Sequence, residues 1–188
     1  MEKPLDTLPD EELMLAYQQG NAAAFDILYG RHKGGLYRYF LRQLNHRPEI
    51  ASELFQDIWM KLIHARHGYR VNAKFTTWLY RMAHNRLIDF WRSEKHKNLQ
   101  QVYEDSVYSP AAEPEDKIQQ QQNDRQIKQA IAELPEEQRS AFLLKEEGGL
   151  SLSDIAEITG VNRETVKSRL RYGVKRLRQR LQPLRSVT

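Results

Sequence analysis

Among its 188 residues the chain has no cysteine. Disulfide scaffolds, cysteine-ligated zinc, iron–sulfur clusters and thiol nucleophiles are thereby excluded, and a reducing compartment is allowed. No apolar run approaches the roughly 20 residues that span a bilayer. The start, Met1-Glu2-Lys3-Pro4-Leu5-Asp6, lacks the basic and then apolar order of a signal peptide, so a cytoplasmic protein without membrane insertion is expected. Alternating apolar and polar stretches with β-branched enrichment between turns are also missing, which argues against strands. No set of nucleophile, base and orienting group is visible, nor any glycine loop that could cradle phosphate. Neither enzymatic activity nor a small-molecule substrate or cofactor is therefore expected. His64 and His67 share a helical face, but without an obvious third ligand they read as surface histidines. Glu146-Glu147, before Gly148-Gly149, reads as a solvated helix end.

What the chain does have is charge, in alternating blocks. It carries 29% charged residues and a net charge of +4, with a mean hydropathy of -0.75. By segment the net charge is −3 over 1–60, +7 over 61–97, −4 over 98–126, −4 over 127–160 and +8 over 161–188. Two basic blocks separated by acidic ones suit a chain with two surfaces for a polyanion, and nucleic acid is the leading partner class.

Helical periodicity dominates, so the expected fold is all-α. Leu13, Ala16 and Tyr17 lie at helical spacing, and Gly20-Asn21 separates them from a second helix carrying Phe25, Leu28 and Tyr29. Gly34-Gly35 is expected to interrupt that helix, and Arg47-Pro48 to end the hairpin. Helices are expected from about 51 to 65 and from about 76 to 94. Between 98 and 117 the periodicity dissolves around Ser106, Ser109, Pro110, Pro114 and five acids. The expected organisation is a helical domain over 1–97, a flexible acidic linker over 98–117 and a second helical domain over 118–188.

The second domain carries the sharpest local signals. Ser151 with Asp154 three residues on can cap one short helix, Gly160 can end it in a left-handed turn, and Asn162 can cap the next. Two capped helices joined by a turn of this length make a helix-turn-helix. In its second helix Val166, Leu170, Val174 and Leu177 form an apolar face. Arg163, Lys167 and Arg171 form a basic one, with Ser168 and Tyr172 beside it. The apolar face must dock on a core, which leaves the basic face free for base edges and phosphates of duplex DNA. In the first domain, Phe75, Leu79, Met82, Ala83, Leu87 and Phe90 supply a core face, while Trp78, Arg81, Asn85, Asp89 and Arg92 supply the opposite stripe. A stripe of indole, guanidinium and amide suits unpaired bases, which offer a face to stack and an edge to bond. Lys95 and Lys97 can hold phosphates.

Together, Phe75-x-x-Trp78-Leu79-x-Arg81-x-Ala83-x-Asn85-x-x-x-Asp89, the preceding Glu53-Leu54-Phe55-Gln56-Asp57-Ile58-Trp59 and the later Leu134-Pro135-Glu136-Glu137-Gln138-Arg139 closely resemble the extracytoplasmic-function class of bacterial sigma factors. Gly20-Asn21-x-x-Ala24-Phe25-x-x-Leu28-Tyr29 looks like that family's opening helix pair. The resemblance implies a subunit that binds core RNA polymerase and directs it to promoters. It implies polymerase docking through Glu53, Gln56, Asp57, Met60 and Lys61. It further implies that Trp78, Arg81, Asn85, Asp89, Arg92, Lys95 and Lys97 contact the melted proximal element. Arg163, Lys167, Ser168, Arg169 and Arg171 would contact the duplex distal element. An anti-sigma partner is also implied. The alternative is a two-domain helix-turn-helix regulator that acts on duplex DNA without docking on polymerase.

Overall fold

The computed structural model describes residues 4–100 and 118–185, with side chains described over 4–96 and 123–182. After a 3-10 turn at Leu5–Thr7 the described residues form eight α-helices: α1 (Asp10–Gln18), α2 (Ala22–Gln43), α3 (Pro48–Ala65), α4 (Phe75–Gln100), α5 (Ile118–Ala132), α6 (Glu136–Gly148), α7 (Leu152–Thr159) and α8 (Arg163–Arg185), with a second 3-10 turn at Arg66–Gly68 between α3 and α4. No strand occurs among the described residues. The fold is the expected all-α one.

Helix starts follow local chemistry. Asn21 accepts the Ala24 amide to open α2 (3.3 Å), and Pro48, whose missing N–H costs nothing in a first turn, opens α3 three residues earlier than its apolar period announces. The start of α4 is capped from far away: the Glu11 carboxylate on α1 accepts the Phe75 amide at 2.8 Å. Between α2 and α3 the chain reverses through Asn45 and His46, both at positive φ. Asparagine tolerates that region because its short amide bonds locally.

Three expectations need correction. Gly34-Gly35 does not interrupt α2, which runs unbroken through both residues. The reason for Gly35 is contact: a Cβ there would lie 2.8 Å from the Glu147 carbonyl oxygen and 3.0 Å from the Tyr80 hydroxyl. The helix expected to stop near 94 continues to Gln100, past the linker boundary expected at 98. The rest of that segment, 101–117, and the side chain of Lys97 lie outside the described residues. Finally, Glu147 is no solvated helix end, since its side chain is only 5% exposed.

Buried apolar side chains form one continuous cluster that runs from Leu13 and Met14 through Tyr39, Phe40, Ile58 and Tyr80 to Leu144, Ile155 and Val166. The two halves of the chain meet along a seam in which α2 packs on α6 and α4 packs on α7. Arg38 Nε donates to Glu147 at 2.8 Å, and Arg42 pairs with the same carboxylate. The Tyr80 hydroxyl donates to the Glu147 carbonyl at 2.8 Å, and Arg139 donates to Asn45 Oδ1 at 3.1 Å.

Candidate nucleic-acid interface

The helix-turn-helix is built as its sequence announces. Ser151 Oγ accepts the Asp154 amide at 3.2 Å while Asp154 accepts the Ser151 amide at 3.0 Å, a reciprocal capping box that fixes the start of α7. Gly160 ends α7 at φ +69°, where a side chain would be strained, and Asn162 Oδ1 accepts the Thr165 amide at 2.8 Å to open α8. Leu150, Ile155, Val166 and Leu177 are buried, with Leu170 packed against them. That burial fixes the outward face of α8. Arg163, Lys167 and Arg171 are exposed there, and the Arg171 guanidinium lies 4.9 Å from the Tyr172 ring centre. Ser168 sits half-buried at the edge. Arg169 turns away from this face: it is 18% exposed and pairs with Glu137 of α6 at 3.0 Å.

On α4 the stripe divides in two. Asn85, Asp89, Arg92 and Lys95 are exposed, with Arg92 and Asp89 3.8 Å apart. The amino-terminal part is engaged within the chain. Trp78 is half-buried, its ring centre 5.1 Å from that of Tyr69 and 6.1 Å from that of Phe75. Arg81 pairs with Glu157 of α7, and Thr77, only 1% exposed, donates to Asp154 at 3.0 Å. Burial raises the Asp154 pKa, but hydrogen bonds from Ser151 and Thr77 and the charge of Lys74 outweigh it and hold the carboxyl below its ordinary value.

The third surface is on α3. Leu54, Ile58 and Leu62 are fully buried, which points Glu53, Gln56, Asp57, Met60 and Lys61 the other way, Met60 being 53% exposed. Arg86 of α4 reaches this face, lying 2.8 Å from Asp57 and 3.7 Å from Glu53. Nearby, the His64 ring bonds to the Met60 carbonyl at 2.7 Å, and no group of three metal-ligating side chains occurs among the described residues. Thr77, Tyr80, Arg86 and Glu147 escape sequence reasoning because their partners lie far along the chain. Only the order of residue types in one helix is visible to a periodicity argument.

Comparison with known families gives two matches, "Sigma-70 region 2" over residues 28–97 and "Sigma-70, region 4" over residues 124–177. The sigma factor SigM of Mycobacterium tuberculosis is 32% identical across 85% of this chain and 78% of its own length. The chain belongs to the extracytoplasmic-function sigma factors. The sigma-E factor of Haemophilus influenzae, 30% identical, covers 95% of this sigma factor and 98% of its own length. Among solved structures, the sigma factor RpoE of Bartonella quintana, in complex with the anti-sigma factor NepR, shares the fold. Its TM-score is 0.68 at 22% identity, over 84% of this chain and 96% of that one. CnrH in complex with the cytosolic domain of CnrY gives 0.66 at 19%, over 93% and 97%. The region 2 match spans both the α3 face and the α4 stripe, and the region 4 match spans the helix-turn-helix.

Proposed function

We propose that this sigma factor docks on core RNA polymerase through the α3 face, reads a distal promoter element as duplex through α8, and captures melted bases of a proximal element on the α4 stripe. The observation that carries this reading is the separation of the three surfaces. A basic face on α8 and a mixed aromatic, amide and guanidinium stripe on α4 stand on different helices, and an acid and amide face stands on a third, α3. Duplex reading needs long donors that reach a groove, and Arg163, Lys167 and Arg171 supply them. Base capture needs flat rings and edge-bonding amides, and Trp78 and Asn85 supply those. Unpairing is then driven by binding free energy, so the protein needs no covalent chemistry of its own. Glu53 and Asp57 suit a basic helix on the polymerase. An anti-sigma partner is proposed from the two similar folds, one solved with NepR and the other with CnrY. No described helix is long and apolar enough to cross a membrane, which fits action in the cytoplasm beside polymerase and DNA.

The test is to add the purified protein to core RNA polymerase, transcribe a genomic library and map the starts. Discrete starts sharing two spaced elements, lost with Asp57→Arg, are expected. Duplex binding without polymerase binding would instead establish a plain helix-turn-helix regulator.

A further inference from the structure

We infer that Arg86 of α4 is a positioning residue for polymerase docking: its guanidinium holds the Asp57 carboxylate of α3 in the arrangement that a basic partner helix meets. The inference rests on the proposed role of the α3 face. Glu53 and Asp57 stand four residues apart on α3, and like charges one helical turn apart repel each other. Arg86 answers both from the neighbouring helix. Its Nε and Nη2 each lie 2.8 Å from the same Asp57 oxygen, Oδ2, and Nη2 lies 3.7 Å from Glu53 Oε1. Among the described residues no donor meets the other Asp57 oxygen, Oδ1. An ionised carboxylate accepts at both oxygens, so Asp57 is fixed on one side and open to a further donor on the other.

Packing makes the hold firm. Ala83 and Leu87, either side of Arg86 on α4, are buried in the same core as Leu54 and Ile58 of α3, which fixes the rotation of both helices. Arg86 is the most buried of the three charged side chains, so the cation is rooted and the two acids are the reachable members. With Lys61 one turn beyond Asp57, the face carries two acids and two cations and no net charge. Long-range attraction therefore contributes little to docking there. What the face offers a basic helix is a carboxylate already oriented, which lowers the ordering cost of binding. A planar fork can fix a carboxylate in this way, whereas an ammonium acts as a point charge. If Arg86 merely competed with the partner for Asp57, removing it would tighten docking. Positioning predicts the opposite sign.

Surface plasmon resonance of the full chain on immobilised core RNA polymerase, at low and at moderate salt, separates the two rates. Arg86→Met keeps an apolar stem and removes the fork. At low salt it is expected to raise the association rate about twofold, because the face becomes more acidic. The dissociation rate should rise about fivefold, the scale of releasing one ordered side chain. The net result is weaker docking. Arg86→Lys keeps the charge and should restore the association rate but not the dissociation rate. In an Asp57→Ala background, Arg86→Met should change dissociation by less than about twofold, because its partner is gone. Thermal melting followed by circular dichroism checks folding. If Arg86→Met melts below the assay temperature, the dissociation rate of Arg86→Lys decides alone. Tighter docking of Arg86→Met, full recovery of dissociation with lysine, or an equal effect with and without Asp57 overturns the inference. Polymerase binding that survives Asp57→Arg defeats the docking reading and this inference with it. Binding lost with Asp57→Arg beside an inert Arg86→Met defeats only the part given to Arg86.

Discussion

Replacing Glu147 by glutamine removes one charge and almost no volume, so the change isolates the electrostatics of the seam. Breaking a fully buried ion pair costs about 3–5 kcal/mol. Two features of this site reduce that figure. Arg38 and Arg42 are 54% and 31% exposed, so both guanidiniums can rehydrate where they stand. Removing an acid from the last turn of α6 also returns about 0.5 kcal/mol of dipole repulsion. The net destabilisation is expected to be about 1–2 kcal/mol, the span between an exposed pair and a buried one. For a chain of this length that lowers Tm by about 2–8 °C. Urea and thermal unfolding followed by circular dichroism, on Glu147→Gln, Arg42→Ala and the double variant, give a double-mutant cycle. A coupling above about 0.5 kcal/mol is expected between the two sites. A Tm within about 1 °C of the unsubstituted chain, or strictly additive effects, would refute the view that Glu147 fastens the halves together.

Acid should loosen the same region. Burial holds His84 below its ordinary pKa, and burial with the charges of Lys128 and Arg42 does the same to His46. Both histidines therefore fold neutral, and the unfolded chain takes up protons first. Their contribution is complete above about pH 6.5 and declines as pH falls toward the depressed folded values. Tm measured across that window should drop less in His84→Gln, and an unaltered slope would count against it. In the holoenzyme, Lys167→Ala and Arg171→Ala should each weaken duplex binding and, where they meet phosphate, flatten its salt dependence by about one unit. Arg169→Ala should lower stability rather than that slope, because its guanidinium is engaged by Glu137. Asn85→Ala should spare polymerase binding and impair opening. Normal permanganate reactivity at the start site would remove Asn85 from the capture surface.

Sequence reasoning succeeded where the cause lies within a few residues. The capping box of Ser151 and Asp154, the turn at Gly160 and the cap at Asn162 are each fixed by neighbours, and each stands where it was read. It failed where the cause lies far along the chain. Gly35 has the composition of an interruption, but α2 passes through it because a carbonyl from α6 needs the space. Glu147 has the composition of a wet helix end, but two arginines more than a hundred positions earlier bury it. Arg169 belongs to a basic block by count, yet lies off the four-residue stripe of Arg163, Lys167 and Arg171 and meets Glu137 instead. The outward faces of α3, α4 and α8 were legible because each occupies one helix. The seam between them was not, because it is made by pairs.

The Glu11 carboxylate on the Phe75 amide carries a lesson for how this chain can be cut. The region 2 match begins at residue 28, so a fragment trimmed to that boundary discards α1 and with it the acceptor for the first turn of α4. It also discards Gln18, whose amide donates to the carbonyls of Arg66 and Tyr69 and so anchors the approach to that turn. Trp78 stands just inside the turn that would fray. The smallest piece able to present a well-formed start of α4 is therefore larger than the piece that family resemblance delimits.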